Sequence, residues 1–208
     1  MAEREAPSEN LRTPPRQARS AATVSKILQA ANELFGSDGL NATTTTRIAR
    51  SAGVSVGSLY HFFPDKMAIA RALGELYHED MSTMLKPLVD EVSDESKFAT
   101  FASEGLRGAA GVVARHPGYL SVVDETDSRV PDSPLFQLRD QLRRLLHRVA
   151  PSIGLGHLSD ADLELMSEFV IDVCAYMLRR LPDEEPARTR MLTELELLFT
   201  SYVFAHTR

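Results

Sequence analysis

The sequence predicts an all-α fold, with a small helical domain at the N-terminus and a larger one after it. Three features lead there. Apolar residues recur three and four apart over most of the chain, Gly and Pro punctuate those periodic stretches, and no segment alternates as a strand would. Residues 1–20 read as a flexible arm, polar and interrupted by Pro7, Pro14 and Pro15. From 21 to 35, Val24, Ile27, Leu28, Ala31, Leu34 and Phe35 mark one face of a helix, with Gly36 and Gly39 as its stop. Two short helices are expected at about 44–51 and 55–63. A long one follows from Asp65 to Val89, carrying Ile69, Leu73, Leu76, Tyr77, Met81, Met84, Leu85 and Leu88 inward.

The remainder continues in the same way. Ser93, Asp94 and Glu95 suit a cap and an acidic first turn for a helix with Phe98, Phe101, Ala102, Leu106, Ala109 and Val113. His116-Pro117-Gly118 breaks it, and a shorter helix over 119–126 precedes the loop DSRVPDSP. Leu135, Leu138, Leu142, Leu145, Leu146 and Val149 mark the next helix. Ser159 with Asp162 reads as a capping pair for a helix reaching Leu181, and Pro186 suits the first turn of a last helix to about His206.

Composition narrows the function. The 208 residues are 43% hydrophobic and 25% charged, the balance of a folded globular chain and not of a disordered one. No apolar run reaches the roughly 18 residues a membrane helix needs, and the N-terminus lacks a secretion signal, so a cytoplasmic protein without membrane contact is expected. Cys174 has no second cysteine to pair with. The net charge of −6 is unevenly spread. Residues 1–66 hold eight basic and six acidic side chains, whereas 67–208 hold 15 and 23. The N-terminal third therefore remains compatible with a polyanion, because phosphate attraction is screened within about 8–10 Å.

The informative stretch is GLNATTTTRIARSAGVSVGSLYHFFPDK, residues 39–66. A helix-turn-helix needs a small residue where its helices touch and one tolerant of positive φ at its turn, and Ala49 and Gly53 supply these. Thr44 and Ser55 can cap the two short helices. Val56, Gly57 and Ser58 then occupy the leading turn of a recognition helix, the part that meets base edges in the major groove. Arg47 can reach a base or a phosphate, and Ser58 and His61 are hydrogen-bonding groups for base edges. Val56 suits a thymine methyl, and Arg12, Arg16 and Arg19 of the arm suit phosphates or the minor groove. Lys66, at the start of the long helix, sets an ammonium beside backbone N–H groups, a natural phosphate seat.

Over residues 21–81 the chain resembles the TetR family of bacterial transcriptional repressors. The similar elements are Gly39, Leu40, Thr43 and Thr44; Ile48-Ala49; Ala52-Gly53-Val54-Ser55; Gly57; Leu59-Tyr60; and Phe63 with Lys66. The resemblance implies that Tyr60 and Lys66 hold the DNA backbone with help from Thr44. It departs at Phe62, where the family often has His or Tyr, with His61 as the polar neighbour. It also implies that residues 82–208 form a ligand-binding and dimerisation domain. Leu163, Met166, Phe169, Val170, Val173, Tyr176 and Met177 on one helix, and Met191, Leu192, Leu195, Leu198, Phe199, Tyr202 and Val203 on the next, are broad enough for a four-helix dimer interface. Candidate effector contacts are Met81, Met84, Phe98, Phe101, Leu120, Phe136, Cys174 and Tyr176, although aromatics and methionines at helical spacing are more often plain core.

The expected function is thus a homodimeric repressor on a palindromic operator in double-stranded DNA, released by a small-molecule effector. The alternative is a helical dimer with a structural or protein-interaction role and no ligand. An enzyme is disfavoured: no nucleophile with its base, phosphate loop or metal-ligand spacing is present, and no cofactor or metal is expected. Asp124, Glu125 and Asp127 near His116 suit either a cationic ligand or solvent.

Overall fold

A computed structural model describes residues 18–125 and 134–207. Nine α-helices and one 3-10 turn make up the described part. They are α1 (Ala18–Asp38), α2 (Thr45–Ser51), α3 (Val56–Phe62), α4 (Lys66–Glu91), α5 (Glu95–Arg115), α6 (Tyr119–Glu125), α7 (Pro134–Val149), the turn Ala150–Ile153, α8 (Asp160–Leu178) and α9 (Ala187–Phe204). No strand occurs among the described residues. No described helix is long and apolar enough to cross a membrane. The arm with Arg12 and Arg16 and the loop around Asp127 lie outside the described residues.

Several helix ends differ from the sequence reading, each for a local reason. Gly36 lies inside α1 instead of ending it; Gly39, at φ 81°, makes the stop. Gly36 is there to admit a neighbour, since a Cβ on it would come within 2.5 Å of the Pro117 side chain. Helix α8 ends at Leu178, three residues short of Leu181. Arg180 and Leu181 turn back onto Met177 and Leu178, because the residue before Pro182 is biased away from helix. The Ser159–Asp162 capping box that opens α8 is present in full.

The described residues form two compact units. The first takes those up to Glu79 together with those from Ala114 to Pro134; the second takes Asp80–Val113 and those from Leu135 onward. In the first unit α1 packs on α2 and α6, and α2 on α3. Ile27, Phe35, Ile48, Leu59, Phe63, Ile69 and Tyr77 are fully buried there. Asn32 ties α1 to α4 and to the turn before α6: the side-chain oxygen accepts from the Tyr77 hydroxyl at 2.6 Å and from the Gly118 amide at 3.0 Å. The Ser121 hydroxyl donates to the Phe35 carbonyl at 2.7 Å beside it. In the second unit one core cluster joins Phe98, Phe101 and Leu106 of α5, Leu142 to Val149 of α7, Leu163, Met166 and Val170 of α8, and Leu195, Phe199 and Val203 of α9. The Ser103 hydroxyl and Arg107 guanidinium of α5 both reach Glu196 of α9.

Two predictions follow from the Asn32 junction. Replacing Asn32 by Ala leaves the Tyr77 hydroxyl buried without its acceptor, and should cost about 2–3 kcal/mol, read as a lower denaturant midpoint at unchanged m. An unchanged midpoint would remove Asn32 from this role. Burial also pushes Tyr119 up to about 12 and raises Tyr77 above the ordinary tyrosine range. Both stay neutral in the fold while the unfolded chain ionises near pH 10, so the unfolded state binds fewer protons and stability falls as pH rises above 10. Tyr77→Phe and Tyr119→Phe should flatten that alkaline loss in pH-dependent unfolding titrations; equal slopes for parent and variants would refute it.

A candidate nucleic-acid interface

The connection between α2 and α3 is four residues, Ala52 to Ser55. It turns sharply because Gly53 takes φ 68° and its N–H bonds the Arg50 carbonyl at 3.2 Å. Ser55 is the N-cap of α3, its hydroxyl accepting from the Ser58 amide at 3.0 Å. Thr44 caps α2 in the same manner, accepting from the Arg47 amide at 3.3 Å. Leu59 and Phe62 face the core of the unit. That leaves Val56, Gly57, Tyr60 and His61 exposed on the other side of α3, with Ser58 half-buried between. Buried Phe62 therefore offers no polar group outward, and His61, edge-on to its ring at 4.9 Å, takes the exposed position.

The sequence reading named Tyr60 but missed its partner. The phenol oxygen lies 3.0 Å from the Thr45 hydroxyl, so α2 and α3 are joined at the surface by two hydroxyls that retain capacity for a further bond each. Thr45 follows the capping Thr44 in a run of four threonines, and spacing alone does not distinguish its members. Arg47 is paired with Asp38 at the end of α1, at 2.5 Å, both groups partly in water.

Lys66 does something the sequence reading did not anticipate. Its ammonium donates to the carbonyls of Leu40, Asn41 and Thr43, at 2.6, 3.1 and 2.9 Å. These are the orphaned carbonyls of the turn between α1 and α2, and three acceptors use all three of its N–H groups. At the same helix end the Asp65 carboxylate accepts from the Ala68 amide at 2.7 Å, so the amino end of α4 already carries an anion. Lys66 therefore shapes the turn that leads into α2, and a phosphate approaching it would have to share its donors.

Gly57 is the most informative residue of the surface. A Cβ built on it meets only the Ser55 hydroxyl, at 4.0 Å, so nothing among the described residues requires the position to be empty. Its backbone is ordinary helix, with no positive φ to explain the choice. Gly within a helix costs roughly 1 kcal/mol relative to Ala. A stabilising side chain has been left off where the outer face of α3 is smoothest.

The other predicted groups fall elsewhere. Of the candidate effector contacts, Met81, Phe98 and Phe101 are buried, Met84, Leu120, Phe136 and Cys174 half-buried, and Tyr176 exposed under the Arg180 guanidinium. Burial pushes the Cys174 thiol up to about 12, away from the reactive thiolate. Of the expected interface residues, Leu163, Met166, Val170, Leu195 and Phe199 lie in the core of their own unit. Val173, Met177 and Tyr202 are half-buried, and Phe169, Tyr176 and Leu198 are exposed, together with Leu165 and Leu197, which the sequence reading did not name. Phe169 and Tyr202 rings meet at 4.6 Å between α8 and α9. Among the described residues no group of three or more His, Cys, Asp or Glu could hold a metal ion.

Comparison with known proteins agrees with this geometry. Residues 27–73 match the profile of bacterial regulatory proteins of the tetR family. The nucleoid occlusion factor SlmA of Pectobacterium carotovorum is 28% identical over 168 residues, 74% of this chain and 80% of that protein. The SlmA of Vibrio cholerae is 27% identical over 129 residues; the chain spans 63% of its length, using 62% of its own. Among solved structures, a tetR family transcription regulator from Shewanella superposes with a TM-score of 0.65 at 23% identity, over 86% of this chain and 97% of that one. The regulator PfmR of Thermus thermophilus gives 0.63 at 21%, over 83% and 96%. Residues 27–73 thus form a helix-turn-helix domain similar to that of tetR family regulatory proteins, and the chain shares the fold of the solved regulators.

Proposed function

We propose that the protein is a homodimeric transcriptional repressor that reads a palindromic operator through α3 and is released by a small molecule held in its second unit. The observation that carries the DNA reading is the outer face of α3. Val56, Tyr60 and His61 stand exposed around Gly57, whose missing side chain benefits no neighbour among the described residues. A backbone laid bare in this way suits close approach to a base edge or phosphate. Ser58 and His61 supply hydrogen-bonding groups for bases, and Tyr60 with Thr45 supplies hydroxyls for the phosphate backbone. Arg47 adds a cation on the same helix as Thr45.

The dimer reading rests on α8 and α9. Leu165, Phe169 and Tyr176 recur along α8, with Leu197 and Leu198 on α9, all large apolar groups left in water. A second copy would cover them and set two α3 helices at successive major grooves, about 34–36 Å apart or a multiple of that. The SlmA relatives favour a second reading, a DNA-bound nucleoid occlusion factor. Selection of bound DNA from a random pool, at stated salt, tests the common part. An enriched palindrome supports sequence-specific binding by a dimer, and no enrichment from folded dimer overturns it. A site that small molecules never release would favour the second reading.

Gly57→Ala separates a DNA surface from an idle helix face. It should raise stability by up to about 1 kcal/mol while lowering operator affinity at least tenfold. Equal affinity would dismiss contact at this position. Tyr60→Phe should weaken all DNA sequences by a similar factor, roughly 2- to 12-fold, because a phosphate contact carries no sequence information. Changed base preference should instead come from Ser58 and His61, read by repeating the selection. For the dimer, the double variant Phe169→Asp with Leu198→Asp should give a folded monomer by light scattering and circular dichroism. A variant that stays dimeric would move the interface elsewhere.

A further inference from the structure

Within the second unit, α4 and α7 face each other with matched stripes. Ser82, Leu85, Lys86 and Val89 follow at i, i+3, i+4 and i+7, and Gln141, Arg144, Leu145 and Arg148 repeat the same spacing. Together they line a groove of about 360 Å³. Both ends are tied. The Gln141 amide donates to the Ser82 hydroxyl at 2.9 Å, and the Arg148 guanidinium donates to the Val89 carbonyl, one of the last four of α4. The space between keeps an apolar floor of Leu85, Val89 and Leu145 under a rim of Lys86, Arg144 and Arg148.

The charge of this groove runs against its surroundings. From residue 67 onward acidic side chains outnumber basic ones by 23 to 15, yet among the described residues no carboxylate lines the groove and three cations do. Neutralisation is incomplete. Asp140, one turn back on α7, is shared between Arg143 and Arg144, so one negative charge serves two guanidinium groups. Arg148 bonds a carbonyl, which satisfies an N–H without cancelling charge. Three like charges above an apolar floor repel one another unless an anion joins them, and an anion with an apolar body fits both surfaces.

We propose that this groove binds a single-chain amphiphilic anion, a carboxylate or phosphate head at Lys86 and Arg144 with its aliphatic body over Leu85, Val89 and Leu145. That such a compound is also the effector rests on the repressor reading above; the binding itself does not. None of the effector candidates suggested by helical periodicity lines this groove.

The test is calorimetric titration of the full-length protein with octanoate, octyl phosphate and 1-octanol. Octanoate, octyl phosphate or both should bind once per chain, and the charged ligand that binds should do so at least tenfold more tightly than 1-octanol. Which head group wins identifies the acid. Lys86→Gln and Arg144→Gln, on exposed side chains whose loss spares the core, should each weaken the anion roughly 5- to 30-fold and leave 1-octanol unchanged. Equal affinity for octanol and the anions, no binding of either anion, or variants that bind as the parent does would each overturn the site. Release from the selected operator is measured separately. Binding without release would refute the effector role and leave the site standing.

Discussion

The first unit depends on satisfying one short turn. Residues 39–44 must carry the chain from the end of α1 to the start of α2, and a turn this tight leaves carbonyls without helical partners. Lys66 supplies the solution from 23 to 26 residues further on, giving its three N–H groups to Leu40, Asn41 and Thr43. Buried Thr43 adds a hydroxyl within reach of the Leu34 and Gly39 carbonyls, at 3.2 and 2.8 Å. Without that convergence the polar backbone would be stranded against Leu40 and Ile48, and α2 would lose its fixed origin. The position of α3 follows from α2 through Gly53, and the exposed face of α3 follows from burying Leu59 and Phe62.

This explains what was legible in the sequence. Helix periodicity, the glycine at the α2–α3 turn and the Ser and Thr caps are local, and each is written within a few residues of the feature it creates. Ser159 and Asp162 form their capping box three positions apart, and Ser55 accepts from Ser58 over the same interval. The Lys66 clamp, the Asn32 junction and the Tyr60–Thr45 contact are not local. Their partners lie 15 to 86 residues apart, and only packing brings them together. Reading along the chain also assigns residues 114–134 to the second half, whereas Pro117 and Gly118 pack on Gly36 and Asn32 of α1.

The same distinction governs the apolar residues of α8 and α9. Periodicity picks out Leu163, Phe169, Leu195 and Leu198 alike without ranking them by depth, and it passes over Leu165 and Leu197. Leu163, Met166 and Val170 enter the core with Leu195 and Phe199, and Leu165, Phe169, Tyr176, Leu197 and Leu198 do not. A helix with apolar residues on more than one face has low amphipathicity, so the sequence signal for which face is inner vanishes where a second surface is needed. Exposure in the structure is what divides core from candidate interface.

Charge adds what burial cannot. The outer face of α3 carries its information in an absence, because Gly57 leaves space that no described neighbour fills. The groove between α4 and α7 carries it in an excess, because the rim holds more cations than the nearby Asp140 can balance. In each case the fold tolerates a feature that a search for stability alone would remove. Ala would strengthen α3, and a Glu facing Arg144 would relieve the rim. These two departures stand beside the exposed apolar groups of α8 and α9, and a marginally stable protein retains such features where another molecule repays the cost.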